Sequence, residues 1–492
     1  MRFLPIALAA ALLAGCATVT NPVSGQRELT VMDERSEIAE GRKAHEEVLK
    51  EYGAYPNPRL QAYVNEIGQR LAGQSHRKNL PWHFTVLDSP EINAFALPGG
   101  YVYVTRGLMA YLESEADLAG VIGHEIGHVT ARHGAQRATR QQTAGLGVLA
   151  ATILGAVLES RGVTGATDLA GSLSQGAAAG YIASYSRDQE LQADKLGAEY
   201  LARVNYDPKN MVDVIRVLKS QEQYAADTAR AAGRSPPPKA GWLASHPSND
   251  KRLQDIVQIA GQYKGKYDDE GRSRYLKAID GMTFGESREQ GVTRGQHFYH
   301  EPLGIALTAP AGWKVQNTPE VVALINAAGD AGLLVHVAPP DAGKTHEDII
   351  RNVFRPEQGR TEKLALGGFP ATHFAGMGKN RQGRVQGVEV TVVTGPASRN
   401  FLLIYGAKDA QALQRARGQL KEAEASFRAL TAADTAAARP WVLKTVPYPR
   451  SGFSQFARTS PLSGNAEREL RLINGVYAGG EPSPGQLVKV VE

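Results

Sequence analysis

Residues 124–128 read His-Glu-Ile-Gly-His, and the spacing of the three polar side chains points to metal-assisted hydrolysis. Residues four apart in a helix share a face about 6 Å along the axis, so His124 and His128 offer two imidazoles to one zinc ion. Glu125 projects beside them, where a carboxylate serves as the base that deprotonates an attacking water. A catalytic zinc takes three protein ligands and keeps one position open, so one ligand remains to be found. The segment 186–194, Ser-Arg-Asp-Gln-Glu-Leu-Gln-Ala-Asp, supplies a candidate. Glu190 is the expected third ligand. Asp194 falls one turn later on the same face, placed to accept a hydrogen bond from a ligand histidine and fix its tautomer.

These groups need helices to hold them. Upstream of His124, residues 113–122 continue a helical pattern through Ala116, Leu118, Ala119 and Ile122. Val121, Ile122, Ile126 and Val129 are expected to form the face packed on the core. Gly123 and Gly127 each weaken a helix by roughly 1 kcal/mol relative to alanine. Their presence predicts close approach of another element, either a neighbouring helix or a substrate backbone.

The motifs His124-Glu125-x-x-His128 and Glu190-x-x-Ala193-Asp194 resemble those of the HtpX-like and BepA-like zinc metalloendopeptidases. Residues 93–108, beginning Asn93-Ala94-Phe95 and running through Pro98-Gly99-Gly100, match a third family element. The resemblance covers roughly residues 30–265. It implies one zinc per subunit and a mainly helical, zincin-type protease domain around a small sheet. It also implies that Asn93, Ala94 and Phe95 lie on a strand edge able to pair with an extended substrate. His246, in Ser245-His246-Pro247, resembles a family segment facing the active site. There it would stabilise the oxyanion of the tetrahedral intermediate, as a catalytic group, or fill the open metal position and hold the enzyme inactive; the plain alternative is a loop histidine that caps the following helix. His133, off the ligand face, is read as structural.

The N-terminus has Arg2, an apolar run over 3–12, and Leu13-Ala14-Gly15-Cys16. This resembles a bacterial lipobox, which implies a signal peptide over 1–15, lipidation of Cys16 and a tether over 16–30. Ala17 after the cysteine resembles outer-membrane routing, so the expected place is the periplasmic face of the outer membrane, with the lipid as membrane partner. Cys16 is the only cysteine, which excludes disulfides and cysteine metal ligands. The net charge of +5 is spread rather than striped, so nucleic acid is not expected as a partner.

The expected fold class is α+β, with a metallopeptidase domain over 31–265, a linker over 266–296, an α+β accessory domain over 297–430, and a module over 440–492. Helices are expected at 34–52, 58–73, 208–221 and 250–263, and a strand at 83–87. The small-residue stretch 144–180 reads as a packed helix pair, a membrane-dipping hairpin or a lid. The accessory domain shows no titratable residues at useful spacing and reads as a binding or scaffolding module. The last segment has the order βααβ and resembles a LysM-like peptidoglycan-binding module, although Tyr448-Pro449-Arg450-Ser451-Gly452 replaces the usual turn after the first strand.

Two function classes follow. The first is a lipid-anchored zinc endopeptidase acting on misfolded or unassembled envelope proteins. The second is an assembly factor or cell-wall scaffold with a latent protease site.

Overall fold

The computed structural model describes residues 17–140, 185–235, 242, 246, 250–267, 269–317, 321–379, 385–462 and 464–492. The expectations for Cys16 and its leader, and for the 144–180 stretch, lie outside these residues. The chain divides into two units, Met1–Phe284 with Val442–Glu492, and Gly285–Trp441.

In the first unit, β1 (Ala17–Thr20) and β2 (Arg27–Thr30) form an antiparallel hairpin. Asn21 turns the chain by accepting from the amides of Val23 and Ser24, and its Nδ2 donates to the Ala131 carbonyl at 3.2 Å. The stretch expected as a tether is therefore a folded hairpin. Its four-residue strands are too short for periodicity to reveal. Helix α1 (Glu34–Tyr52) starts at the Asp33 cap, and α2 (Pro58–Ala72) at Asn57 with proline in its first turn.

Strands β3 (His83–Leu87), β4 (Ala94–Leu97) and β5 (Tyr101–Thr105) form a sheet in the order β3-β5-β4. β3 runs parallel to β5 and β4 antiparallel to it. β5, Tyr-Val-Tyr-Val-Thr, is buried throughout, as a central strand covered on both faces must be. β4, carrying Ala94 and Phe95, is an edge of this sheet, with Asn93 just before it.

A short helix α3 (Arg106–Met109) leads to α4 (Glu115–Thr130), whose start is fixed by a reciprocal capping box between Ser114 and Asp117. All sixteen residues of α4 are buried, so it is enclosed on every side rather than amphipathic. It packs against α2, β4, β5, α5 (Arg187–Arg203) and α6 (Asn210–Ala231). The α4–α5 crossing explains the glycines. A Cβ on Gly127 would sit 2.8 Å from the Ala193 carbonyl oxygen, and one on Gly123 2.9 Å from Leu201 Cδ1. The approaching element is thus the neighbouring helix. Helices α7 (Asp250–Ala260) and α8 (Arg272–Ile279) and strand β6 (Thr283–Phe284) follow. Part of the expected 266–296 linker is thereby regular structure, held by the buried Tyr275, Leu276 and Ile279.

The second unit opens with β7 (Val292–Arg294), β8 (His297–His300) and β9 (Ile305–Thr308). Its main sheet uses β10 (Lys314–Asn317), β11 (Val322–Ile325) and β12 (Ala331–Val337). Helix α9 (His346–Phe354) comes next, then the long strands β13 (Pro356–Leu366), β14 (Phe369–Lys379), β15 (Val385–Thr394) and β16 (Asn400–Ala407). The order is β10-β11-β12-β16-β15-β14-β13, antiparallel throughout. Gly367 and Gly368, both at positive φ, make the two-residue turn between β13 and β14. Helix α10 (Ala410–Ala425) packs on β12 and β16, and β17 (Arg428–Ala429) adds to β9. The expected 431–439 linker contains α11 (Ala432–Ala437), capped by Thr431 and Asp434.

The C-terminal segment has β18 (Trp441–Pro447), α12 (Phe453–Ala457), α13 (Ala466–Ile473) and β19 (Leu487–Val491). β18 and β19 are antiparallel, and β6 joins them in a three-stranded sheet. This segment belongs to the first unit rather than standing as a separate module. The reason is that β6 supplies its third strand. The fold class is α+β. Among the described residues, no helix is long and apolar enough to cross a membrane.

Candidate metal centre

Two capping boxes set the geometry of the centre. Ser114 fixes the start of α4, which carries His124, Glu125 and His128 through its later turns, and Ser186 fixes the start of α5, placing Glu190 in its first turn. With the helices in contact at Gly123 and Gly127, the two motifs converge. Nitrogen or oxygen atoms of His124, His128, Glu190 and His246 all lie within 4.8 Å of one another, and all four residues are buried.

The hydrogen bonds select the tautomers. His124 Nδ1 lies 2.8 Å from Asp194 Oδ1, so its N–H donates to the carboxylate and Nε2 of the neutral ring carries the lone pair. His133 Nε2 donates to Gln192 Oε1 at 3.0 Å. Its Nδ1 is then an acceptor for His128 Nδ1, 2.8 Å away, which leaves His128 Nε2 with a lone pair too. The Nε2 atoms of His124 and His128 therefore face each other at 3.0 Å, with Glu190 Oε1 3.4 Å from His128 Nε2. Two lone pairs and a carboxylate pointing at one place is a donor set that fits a zinc ion. His133, expected to be structural only, thus orients His128.

Arg252 neutralises the far side. Its Nε and Nη2 donate to Asp194 at 2.8 and 2.9 Å, and Nη1 lies 2.7 Å from Glu190 Oε2. Burial opposes ionisation of Glu190, but His246, His128 and Arg252 outweigh it and hold the carboxyl well below its ordinary range. Burial likewise opposes ionisation of Asp194, and Arg252 and His124 reverse it. Burial pushes His128 well below the ordinary imidazole value and His133 down to about 4, so both rings are neutral near pH 7.

Glu125 is held by one oxygen. Trp242 Nε1 donates to its Oε1 at 2.9 Å, while Oε2 is buried with no hydrogen-bond partner among the described residues. The Trp242 amide in turn donates to the Ile92 carbonyl, just ahead of the β4 edge. His246 Nδ1 is 2.9 Å from Glu190 Oε1 and 3.2 Å from His124 Nε2, and its Nε2 is 3.6 Å from Glu125 Oε1. Tyr185 stacks on His128 with ring centroids 3.9 Å apart.

Residues 58–260 match the model of peptidase family M48. This part of the chain is therefore similar to M48 peptidase domains. A beta-barrel assembly-enhancing protease of Yersinia pestis is 35% identical over 212 residues, covering 42% of this chain and 40% of that protein. The Escherichia coli protein of the same name is 32% identical over 212 residues with the same coverage. The mitochondrial metalloendopeptidase OMA1 of Schizosaccharomyces pombe is 28% identical over 242 residues, 48% of this chain and 65% of that one. The chain thus spans 40% of the length of the beta-barrel assembly-enhancing proteases it matches.

Within residues 58–260 the structure brings together His124, Glu125, His128, Glu190, Asp194 and His246. It places Asn93, Ala94 and Phe95 at the sheet edge beside α4. A small crevice runs from Ala96, Leu97 and Pro98 to His128 and Tyr185. Sequence reasoning missed Arg252, Trp242, Gln192 and the role of His133. Arg252 lies six residues after His246 in the sequence, yet nothing local marks it as the partner of Asp194. The Gln192–His133 contact had one signal, since Gln192 lies within the second motif.

Proposed function

We propose that the chain is a zinc-dependent metalloendopeptidase whose ligands are His124, His128 and Glu190 and whose base is Glu125. The convergence of two lone-pair nitrogens and a carboxylate beside a buried, half-paired glutamate carries this reading. Zinc bound there would polarise a water and the scissile carbonyl. Glu125 accepts the proton of the attacking water at Oε2, because Trp242 already occupies Oε1, and returns it to the leaving amine. Asp194 and the Gln192–His133 pair keep the ligand imidazoles in the tautomers that bind metal. The β4 edge with Asn93, Ala94 and Phe95 aligns the substrate backbone by strand pairing.

The substrate class proposed is misfolded or unassembled envelope protein. It rests on the printed name of the beta-barrel assembly-enhancing relatives and on the lipobox resemblance at Cys16, which implies lipid anchoring at the outer membrane. For the LysM-like segment, peptidoglycan binding is proposed from the βααβ order. Retention of the full chain on purified cell wall tests it, and passage without retention ends it.

A second reading concerns latency. His246 adds a fourth donor to the three proposed ligands, 3.2 Å from His124 Nε2, which favours a resting state with the open position filled. Cleavage of unfolded casein by wild type and Glu125→Gln, with zinc stoichiometry, tests the main reading. The variant should lose about 10³-fold in rate and keep one zinc. A variant cleaving at the wild-type rate defeats the assignment. On the latency reading His246→Ala cleaves faster than wild type; a slower rate assigns His246 to catalysis instead.

A further inference from the structure

Lys489, in β19, carries an ammonium that is fully enclosed. Its Nζ donates to the Leu112 carbonyl at 2.6 Å and lies 2.8 Å from Glu113 Oε1. These two residues immediately precede Ser114, the cap of the metal-binding helix α4. A buried ammonium is tolerated only when paired, and burial alone drives this one toward its neutral form. The contact is built from both sides. Asn474 grips the Lys489 backbone, donating to its carbonyl and accepting from its amide, each at 2.8 Å. Gly475 then passes Glu113 so closely that a Cβ would lie 3.3 Å from Glu113 Cγ. Arg272 donates to the Leu487 carbonyl at 3.0 Å and lies 3.2 Å from Glu113 Oε2.

A second grip lies on α6. Tyr477 donates to Asp227 Oδ2 at 2.8 Å, and Arg468 Nη2 is 3.3 Å from the same oxygen. Asn210, the first residue of α6, donates to Asp117 Oδ1 in the first turn of α4 at 2.9 Å. The C-terminal segment therefore reaches the start of α4 directly through Lys489 and indirectly through α6.

We propose that the C-terminal βααβ segment clamps the metal-binding helix, with Lys489 as the positioning residue that fixes the first turn of α4 and thereby His124 and His128. The catalytic consequence rests on the metallopeptidase reading, while the clamp itself is readable without turnover. The test uses the full chain with Lys489→Met, the double variant Lys489→Met/Glu113→Met, and the milder Arg272→Ala. Hydrogen exchange, zinc affinity and peptide kinetics are measured on each.

Lys489→Met should speed exchange of the 112–118 amides roughly tenfold and weaken zinc about tenfold. It should lower kcat with KM held within about twofold. The double variant, which removes the buried ammonium together with its carboxylate, should recover most of the zinc affinity. Arg272→Ala should give the same pattern at smaller amplitude and serves if Lys489→Met does not fold. Faster exchange confined to 442–492, with zinc affinity unchanged, overturns the clamp. A wild-type chain that binds zinc but cleaves no peptide defeats the peptidase reading instead, and the exchange and affinity results still decide the clamp.

Discussion

Each unit buries a cluster of histidine, glutamate and arginine, and the two clusters are wired differently. In the second unit His373 of β14, Glu389 and Thr391 of β15, Tyr405 of β16, and Arg417 and Glu424 of α10 meet at the helix–sheet interface. Arg417 donates to both oxygens of Glu389 at 2.9 and 2.7 Å. Glu424 accepts from Tyr405 at 3.0 Å and from Thr391. His373 bonds Thr391 at 2.8 Å and stands 3.6 Å from Glu389. Every carboxylate oxygen there has a partner. The metal centre instead leaves Glu125 Oε2 unpartnered and turns two imidazole lone pairs on each other. A polar cluster whose carboxylate oxygens are all paired specifies packing, whereas one with convergent, unsatisfied acceptors is prepared for a cation and a proton. The fold assembles this cluster from residues whose sequence spacing does not mark it.

The sharpest way to break this contrast is Arg252→Leu, which strips the counter-charge from Asp194 and Glu190. Removing one partner of a buried pair costs about 3–5 kcal/mol, so urea unfolding of the apo-protein should show a loss of that size. An effect below 1 kcal/mol would mean the two carboxylates do not depend on it.

His133→Phe keeps an aromatic ring but removes the acceptor for His128 Nδ1. Zinc affinity should fall 10–100-fold by chelator competition. Unchanged affinity would reduce His133 to packing.

The smallest effect belongs to the second unit. Glu424→Gln should cost about 1–3 kcal/mol and leave zinc affinity untouched. Burial opposes ionisation of Glu424, but His373, Thr391 and Tyr405 hold its pKa below the ordinary 4.5. Its stabilisation is therefore complete above pH 4.5 and is lost as pH falls through the depressed value. Unfolding curves between pH 3 and 6 should slope less in the variant than in wild type. Equal slopes would place the titration elsewhere.

Much of the first unit is legible in the sequence because its signals are local. The Glu34–Tyr52 and His83–Leu87 elements follow from periodicity over a few residues, and the β4 edge follows from the family resemblance of the segment around Asn93. The β13–β14 hairpin was missed although Gly367-Gly368 marks its turn, because β13 is mostly exposed and shows no apolar alternation. The titratable cluster of the second unit draws on residues as far apart as His373 and Glu424, and no sequence spacing announces it.

The sequence by itself determined the chemistry: His124, His128, Glu125, Glu190 and Asp194 sit at helical spacings, and a helix converts spacing into a shared face whatever surrounds it. Only the tertiary structure decided what holds those groups in place. Arg252 beneath Asp194, Trp242 on Glu125, Gln192 behind His133, His246 among the donors and Lys489 at the start of α4 are contacts between elements distant along the chain. Their existence depends on how helices and strands pack. Packing is set by the summed burial of many side chains and not by any local pattern.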